Sequence, residues 1–379
     1  MIDNEKETPV SESVIRSVDE WASDIEDDDD RMRSTMRDYH AYILRKWIFM
    51  GVCVFLAFLI SGVALTVGGY SIGFSETYSI IWNHLMGNIT DTVKDYVIIN
   101  MRSPRVLIGI ISGCGLAAAG VVMQSVLKNP LADPYTTGVS AGALFGATVA
   151  ITTQMSFTGG PYTIVMNAFI FSLVPTMVIA GVAKKRNASP TVMIMAGIAV
   201  MYIFNAMTTV LKLWSDPNSL AELYRWQVGS LTMATWNDLP IVFAVVIAGI
   251  IFTQLISKKL NIMSTGDESA KALGVNVETM RIACLIAVAL MSAVIVSFTG
   301  LIGFVGLIAP HVARIFIGAD NRYLIPASAL FGAALMLAAD LIGRTVIAPA
   351  TLQVGVVTAF LGGPLFLWLI FNRKNKVWG

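Results

Sequence analysis

Arg102 and Arg105 stand one turn apart at the head of a stretch that carries no charge from Val106 to Leu127. Asp340 and Arg344 stand four residues apart near the end of another apolar stretch, so a helix places both on one face, where they can pair. These residue types hold and recognise charge; they do not make a nucleophile and its base. Ion-coupled transporters place acids or histidines inside their spans, and here Asp340 is the one acid well inside an apolar segment. His40, His84 and His311 lie in different segments without metal-ligand spacing, and Cys53, Cys114 and Cys284 are isolated in apolar runs, as buried small hydrophobes. The dipeptide Gly-Lys is absent, which excludes a phosphate-binding GxxxxGK[ST] loop, and HExxH and GxSxG are absent too. Energy other than an ion gradient must come from a partner.

The elements that position these residues are membrane spans. Of 379 residues 55% are hydrophobic and 13% charged, and the mean hydropathy is +0.70, which excludes a soluble chain of this length. Nucleic-acid binding gains no support from a net charge of +1. Apolar segments occur near 46–68, 104–127, 138–155, 161–183, 190–213, 239–257, 281–300, 304–318, 323–345 and 353–371, and they predict about ten spans in an all-α polytopic membrane protein. The second span is rich in small residues, and Gly109 to Gly113 is a small-xxx-small spacing that lets a neighbouring helix approach closely. It ends at Asn129-Pro130, turns stiffly through Leu131 to Pro134, and restarts at Gly138. The glycines at 300, 303 and 306 predict a bend or a short, broken helix.

Lys and Arg crowd alternate connections, including Lys184-Lys185-Arg186, Lys258, Lys259 and Arg322, which predicts both termini in the cytoplasm. Residues 1–44 form an acidic tail, expected to be disordered, and 373–379 a cytoplasmic C-terminal tail. On the outer side, 214–238 with Trp214, Trp226 and Trp236 reads as an interfacial helix. On the inner side, 258–281 reads as a pair of short helices, with Ser264 or Thr265 as a cap and Gly274 as a stop. Met193, Met195, Met201 and Met207 fit either a pathway lining or ordinary packing.

Several motifs agree in order with one family. Arg102-x-Pro104-Arg105, Gly120-x-x-x-Gln124, Asn129-Pro130-Leu131-Ala132-x-Pro134 and Gly138-Val139-Ser140-x-Gly142-Ala143 resemble the permease subunits of ABC importers for vitamin B12, haem and iron-siderophores. So do Trp226-x-x-Gly229-Ser230-Leu231, Ala272-Leu273-Gly274, Gly303 to Arg314, Asp340-x-x-x-Arg344 and Gly362-x-Pro364-x-Phe366, across residues 45–372. The resemblance implies a ten-helix subunit in the inner membrane of a prokaryote, paired with a second copy around a central pore. It also implies two ATP-binding cassette subunits inside, which hold ATP and Mg, and a solute-binding protein outside; the permease itself carries no cofactor and is no enzyme.

By position, Arg102, Arg105 and Arg344 match the arginines that meet carboxylates of the binding protein, and Asn129 and Leu131 match a cytoplasmic gate. Ala196 and Gly197 would line the pathway, while Ala270, Leu273 and Gly274 match the coupling helices that seat on the ATPase. Iron-siderophore is the expected cargo, with cobalamin or haem as alternatives and an ion-coupled secondary transporter as a distant one. Thr351 and Gln353 depart from the family, which carries Glu and Pro in that turn.

Overall fold

The computed structural model describes residues 12–157, 159–186, 189–348 and 350–371. Residues 1–48 and 49–379 form separate units, and the bundle below is the second. In chain order the α-helices are α1 (Glu12–Thr66), α2 (Phe74–Leu85), α3 (Thr92–Tyr96), α4 (Ser103–Val126) and α5 (Val139–Thr153). Then come α6 (Thr163–Arg186), α7 (Pro190–Leu213), α8 (Pro217–Gln227), α9 (Leu239–Leu255), α10 (Ser257–Ser264) and α11 (Asp267–Ala272). The chain finishes with α12 (Val277–Thr299), α13 (Val305–Ile317), α14 (Asn321–Thr345) and α15 (Val354–Phe371).

Among the described residues six helices are long and apolar enough to cross a bilayer, α9 and α10 form a further candidate bent by 57°, and α5, α13 and α15 are shorter apolar helices. One structural group therefore answers each of the ten apolar segments. The tail expected to be disordered is helical from Glu12 onward. No Gly or Pro interrupts the chain between Glu12 and Met50, so nothing there breaks a helix. The bend expected near residue 300 is real: α12 stops at Gly300, φ 69°, and α13 starts after Phe304, φ 68°.

α4 is the axis of the bundle, packed against α14, α13, α12 and α9. Its small residues serve a different neighbour on each side. A Cβ at Gly113 would strike the backbone carbonyl of Gly332 on α14, one at Gly120 the carbonyl of Gly306 on α13, and one at Gly115 Ile295 of α12 and Val246 of α9. Where side chains vanish on both sides, backbones approach and dispersion contacts multiply, which is what holds helices together in lipid. A second group packs α5 against α6 and α7, and α12 touches both groups. Trp226, expected at an interface, is 4% exposed and packs with Leu223, Leu144 and Val296 instead. α8 turns that indole inward, and Trp214, 80% exposed, is left at the surface.

The elbow between α4 and α5 is built from local bonds. Lys128 takes a left-handed φ of 48° after the last turn of α4. Asn129 Oδ1 accepts from the N–H of Leu131 at 3.0 Å, an Asx turn across Pro130. Asp133 Oδ1 accepts from the N–H of Tyr135 at 2.9 Å and caps a single 3-10 turn, Pro134–Thr137. Gly138, φ 90°, then opens α5 in a conformation few other residues adopt. Burial of Asp133 pushes its carboxyl up to about 6, the bond from the Tyr135 N–H opposing the shift.

Two tests follow from this packing. Gly120→Ala should lower the thermal unfolding midpoint, by roughly 1–3 kcal/mol of overpacking, whereas Gly181→Ala on α6, where a Cβ meets nothing within 4 Å, should be neutral or stabilising; equal effects would remove the close-approach argument. For Asp133, a native carboxyl at about 6 against an ordinary 3.8 binds its proton more tightly folded than unfolded. Stability from this group is therefore full below about pH 4 and falls by about 3 kcal/mol as pH rises through 6. Midpoints in detergent should be higher at pH 5 than at pH 7.5, and Asp133→Asn should abolish that part of the difference.

Candidate functional site

α4 is 24 residues long, about 36 Å at 1.5 Å per residue, so the two arginines at its head and the elbow at its foot lie at opposite ends of the bundle. At the head, the crossing with α14 sets the register. Arg105 is eight residues before Gly113 and Asp340 eight after Gly332, and in this antiparallel pair they meet. Arg105 Nε and Nη2 donate to Asp340 Oδ1 at 2.9 and 2.7 Å. Arg344 Nη2 lies 2.8 Å from Asp340 Oδ2, close enough for charge attraction, though its N–H points off the acceptor. The expected Asp340–Arg344 pair thus forms, and Arg105 is the third member that sequence spacing did not disclose. Its signal was available only as a rule, that a charge inside an apolar bundle must find a partner.

The same end carries a second construction. A π-turn at Val97–Arg102 precedes α4, and Arg102 Nη1 donates to the carbonyls of Leu65 and Thr66, both at 2.8 Å, while Nη2 reaches the carbonyl of Tyr70. Arg344 Nη1 donates to the carbonyls of Ala64 and Val67 at 2.8 and 2.9 Å. Helix ends leave carbonyls without intrahelical partners; here two guanidiniums from other helices supply the donors for the end of α1. Gly68 leaves room beside them, since a Cβ there would sit 2.9 Å from Arg102 Nη2 and push the guanidinium off its carbonyls. Arg102 and Arg344 are therefore 5% and 6% exposed rather than standing on an open face. Together with Arg105 they line a cavity of about 570 Å³ that also takes in Tyr70, Thr235 and Thr351. The turn around Thr351 and Gln353 is closed by the Leu352 N–H donating to the Gly343 carbonyl at 2.8 Å.

At the foot, Leu131 is 41% exposed at the tip of the elbow. Asn129, Leu131 and Thr136 share a cavity of about 230 Å³ with Ile194, Ile198 and Met201 of α7. Ala196 is half-buried and Gly197 buried; a Cβ on Gly197 would meet Thr137 Cα at 3.1 Å. Gly197 is thus the position that lets the elbow press on α7, and the open face of that helix is carried by Met195, Ile198 and Tyr202. Gln124, near the end of α4, accepts from Arg314 Nη2 of α13 at 3.1 Å, a buried contact between two motif residues that sequence order alone did not connect.

Beside the elbow, α10 and α11 form the expected pair of short helices. Ser264 and Thr265 do not cap α11: their hydroxyls donate back to the carbonyls of Asn261 and Ile262 at 2.6 and 2.8 Å. Gly266, φ 133°, makes the break instead. Gly274, φ 79°, ends α11, its N–H bonding Lys271 O and that of Val275 bonding Ala270 O, both at 2.9 Å. Ala270 is fully buried against Met263, Val275 and Val277, while Leu273 is 66% exposed. A groove of about 450 Å³ runs alongside, lined by Asp267, Lys271, Gly274, Asn276, Glu278 and Arg281.

The model of the FecCD transport family matches residues 53–372. A protein of Methanocaldococcus jannaschii named as an ABC transporter permease is 42% identical over 348 residues, 89% of this chain and 98% of that protein. The hemin transport system permease protein HmuU of Yersinia pestis is 36% identical over 323 residues, 84% of this chain and 95% of its own length. Further relatives in Halobacterium salinarum and Bacillus subtilis are named for cobalamin and for Fe(3+)-citrate import. Among solved structures, a metal-chelate type ABC transporter in an inward-facing conformation superposes with a TM-score of 0.75 at 29% identity, covering 85% of this chain and 98% of that one. The matched region contains the arginine cluster, the elbow and the paired short helices, and this multi-pass chain belongs to the FecCD transport family of ABC permeases.

Proposed function

We propose that this chain is the membrane-spanning subunit of an ATP-driven importer for a metal chelate, with an iron-siderophore as cargo. It works as a homodimer, with an ATPase seated on α10 and α11 of each copy and a solute-binding protein docked over the arginine cavity. That cavity then faces the outside, and the elbow and both termini face the cytoplasm, in keeping with the crowding of Lys and Arg in the connections on that side. The observation that carries this reading is the family match through both ends of α4. The Asp340 carboxylate counts against ion coupling, because Arg105 and Arg344 already neutralise it. Relatives named for haem, cobalamin and Fe(3+)-citrate support a large chelate as cargo. Within the reading, Leu131 is the tip of the gate, Ile194, Ile198 and Met201 border the pathway, and Leu273 is the knob offered to the ATPase.

Reconstituted with its ATPase and binding protein, the permease should take up labelled iron-siderophore on addition of ATP, ahead of cobalamin or haem. Uptake by the chain alone, driven by a proton or sodium gradient, would overturn the assignment. The arginines allow a sharper test. Arg102→Lys keeps the charge but not the fork that binds three carbonyls, so binding-protein affinity should fall about tenfold, roughly the 1–2 kcal/mol of lost charged hydrogen bonds, with an unchanged salt slope. Unchanged affinity would mean that charge alone guides docking.

A further inference from the structure

The elbow and the short helix α11 are far apart in sequence and touch through one carboxylate. Lys128 Nζ donates to Asp267 Oδ1 at 2.7 Å, and Arg281 Nη2 donates to Asp267 Oδ2 at 3.0 Å. Lys128 is the left-handed residue that begins the elbow, three positions before Leu131. Asp267 is the first residue of α11, directly after the break at Gly266, and the exposed Leu273 stands at the other end of the same helix. Arg281 is 7% exposed near the start of α12, whereas the Lys128 and Asp267 side chains are 31% and 35% exposed. One half of the bridge is thus anchored in the bundle and the other half is open to water.

We propose that Asp267 is a latch residue: it ties the movable elbow to the ATPase-contacting helix, and a displacement of α11 that pulls Asp267 away from Lys128 frees the elbow and its tip, Leu131, to move. This rests on the importer reading above. The geometry suits a switch better than a brace. A half-exposed ion pair contributes little to stability, so it opens without unfolding anything, yet it biases the position of the elbow by a few-fold in each copy. Beneath it, Leu260 of α10 packs into the same apolar cluster as Val126 and Leu127 at the foot of α4, so the base stays put while the bridge breaks. Gly266 and Lys128, both at positive φ, are the points on either side where the chain reverses direction and tilts without disturbing a helix. Lys128 and Asp267 position the gate; neither touches cargo or nucleotide.

The test uses the assembled transporter in proteoliposomes, with iron-siderophore uptake and ATP hydrolysis measured together. Lys128→Met should leave assembly and the unfolding midpoint unchanged and lower cargo moved per ATP about threefold to fivefold, the bias that a half-exposed pair supplies. Lys128→Arg should restore the ratio. The double variant with Asp267→Asn should be no worse than Asp267→Asn alone, since the contact that Lys128→Met removes is already lost there. A Lys128→Met transporter with normal coupling, or a double variant whose losses add, overturns the latch. Should Asp267→Asn fail to assemble, the Met and Arg variants of Lys128 decide alone. Absence of ATP-driven uptake in the unmodified assembly is a separate outcome and overturns the importer reading instead.

Discussion

α4 and α14 face each other through Gly113 and Gly332 with no side chain between, and α4 meets α13 in the same way at Gly120 and Gly306. Without a hydrophobic driving force in lipid, contact between helices depends on such closeness. The closeness also acts as a ruler. Once two backbones touch at a glycine, every residue at a fixed distance along both helices is brought to a set partner. Eight residues toward one end, Arg105 finds Asp340; eleven to twelve residues toward the other, Ser125 Oγ donates to Asn321 Oδ1 at 3.1 Å. A side chain inserted at the crossing would separate both pairs at once, so packing in the middle of the bundle decides whether the charge at its end is neutralised.

That neutralisation extends outward in steps. Asp340 is 2% exposed, and a carboxylate so placed requires a charged donor at bonding distance. Arg105 supplies it and Arg344 adds its charge 2.8 Å away. Arg344 also donates through Nη1 to the carbonyls that end α1, and Arg102 joins it there. Three guanidiniums against one carboxylate leave the cavity at that end positive, and Thr351 in its wall adds no counter-charge. A cavity of this kind attracts an anionic group by its field, while its shape depends on the loop the arginines hold. Charge and scaffold reside in the same side chains, so a change of type at Arg102 alters both.

The ten apolar segments, the break at Gly300, the stop at Gly274 and the pairing of Asp340 with Arg344 were legible in the sequence, because each follows from length, backbone freedom or helical spacing within one stretch. What could not be read depends on which neighbour a residue meets. Trp226 carries the same interfacial signature as Trp214, and only the packing of α8 turns it inward. Ser264 and Thr265 have the chemistry of helix caps, but hydroxyls so placed serve the preceding carbonyls equally well, and they do. The arginines matched a docking motif in type and position; their burial follows from the unpaired carbonyls of α1, which lie more than thirty residues away in sequence from Arg102. Nor does the sequence disclose that Thr137 lies against Gly197.

These contacts also divide the bundle into parts that can and cannot move. α4 meets a backbone or a packed side chain at Gly113, Gly115 and Gly120, so it cannot bend without opening voids on several sides, and each void forfeits dispersion contacts. The elbow differs in having side-chain bonds of its own, from the Leu131 N–H to Asn129 and from the Tyr135 N–H to Asp133, and it is flanked by positive-φ residues at Lys128 and Gly138. Its exposed end leans on Asp267 of α11, while Ala132 and Tyr135 pack into the apolar clusters behind it and Thr137 lies against Gly197 of α7. The least packed part of this end is therefore the segment from Lys128 to Leu131, where a half-exposed ion pair and one Asx turn stand in place of the backbone contacts that fix α4.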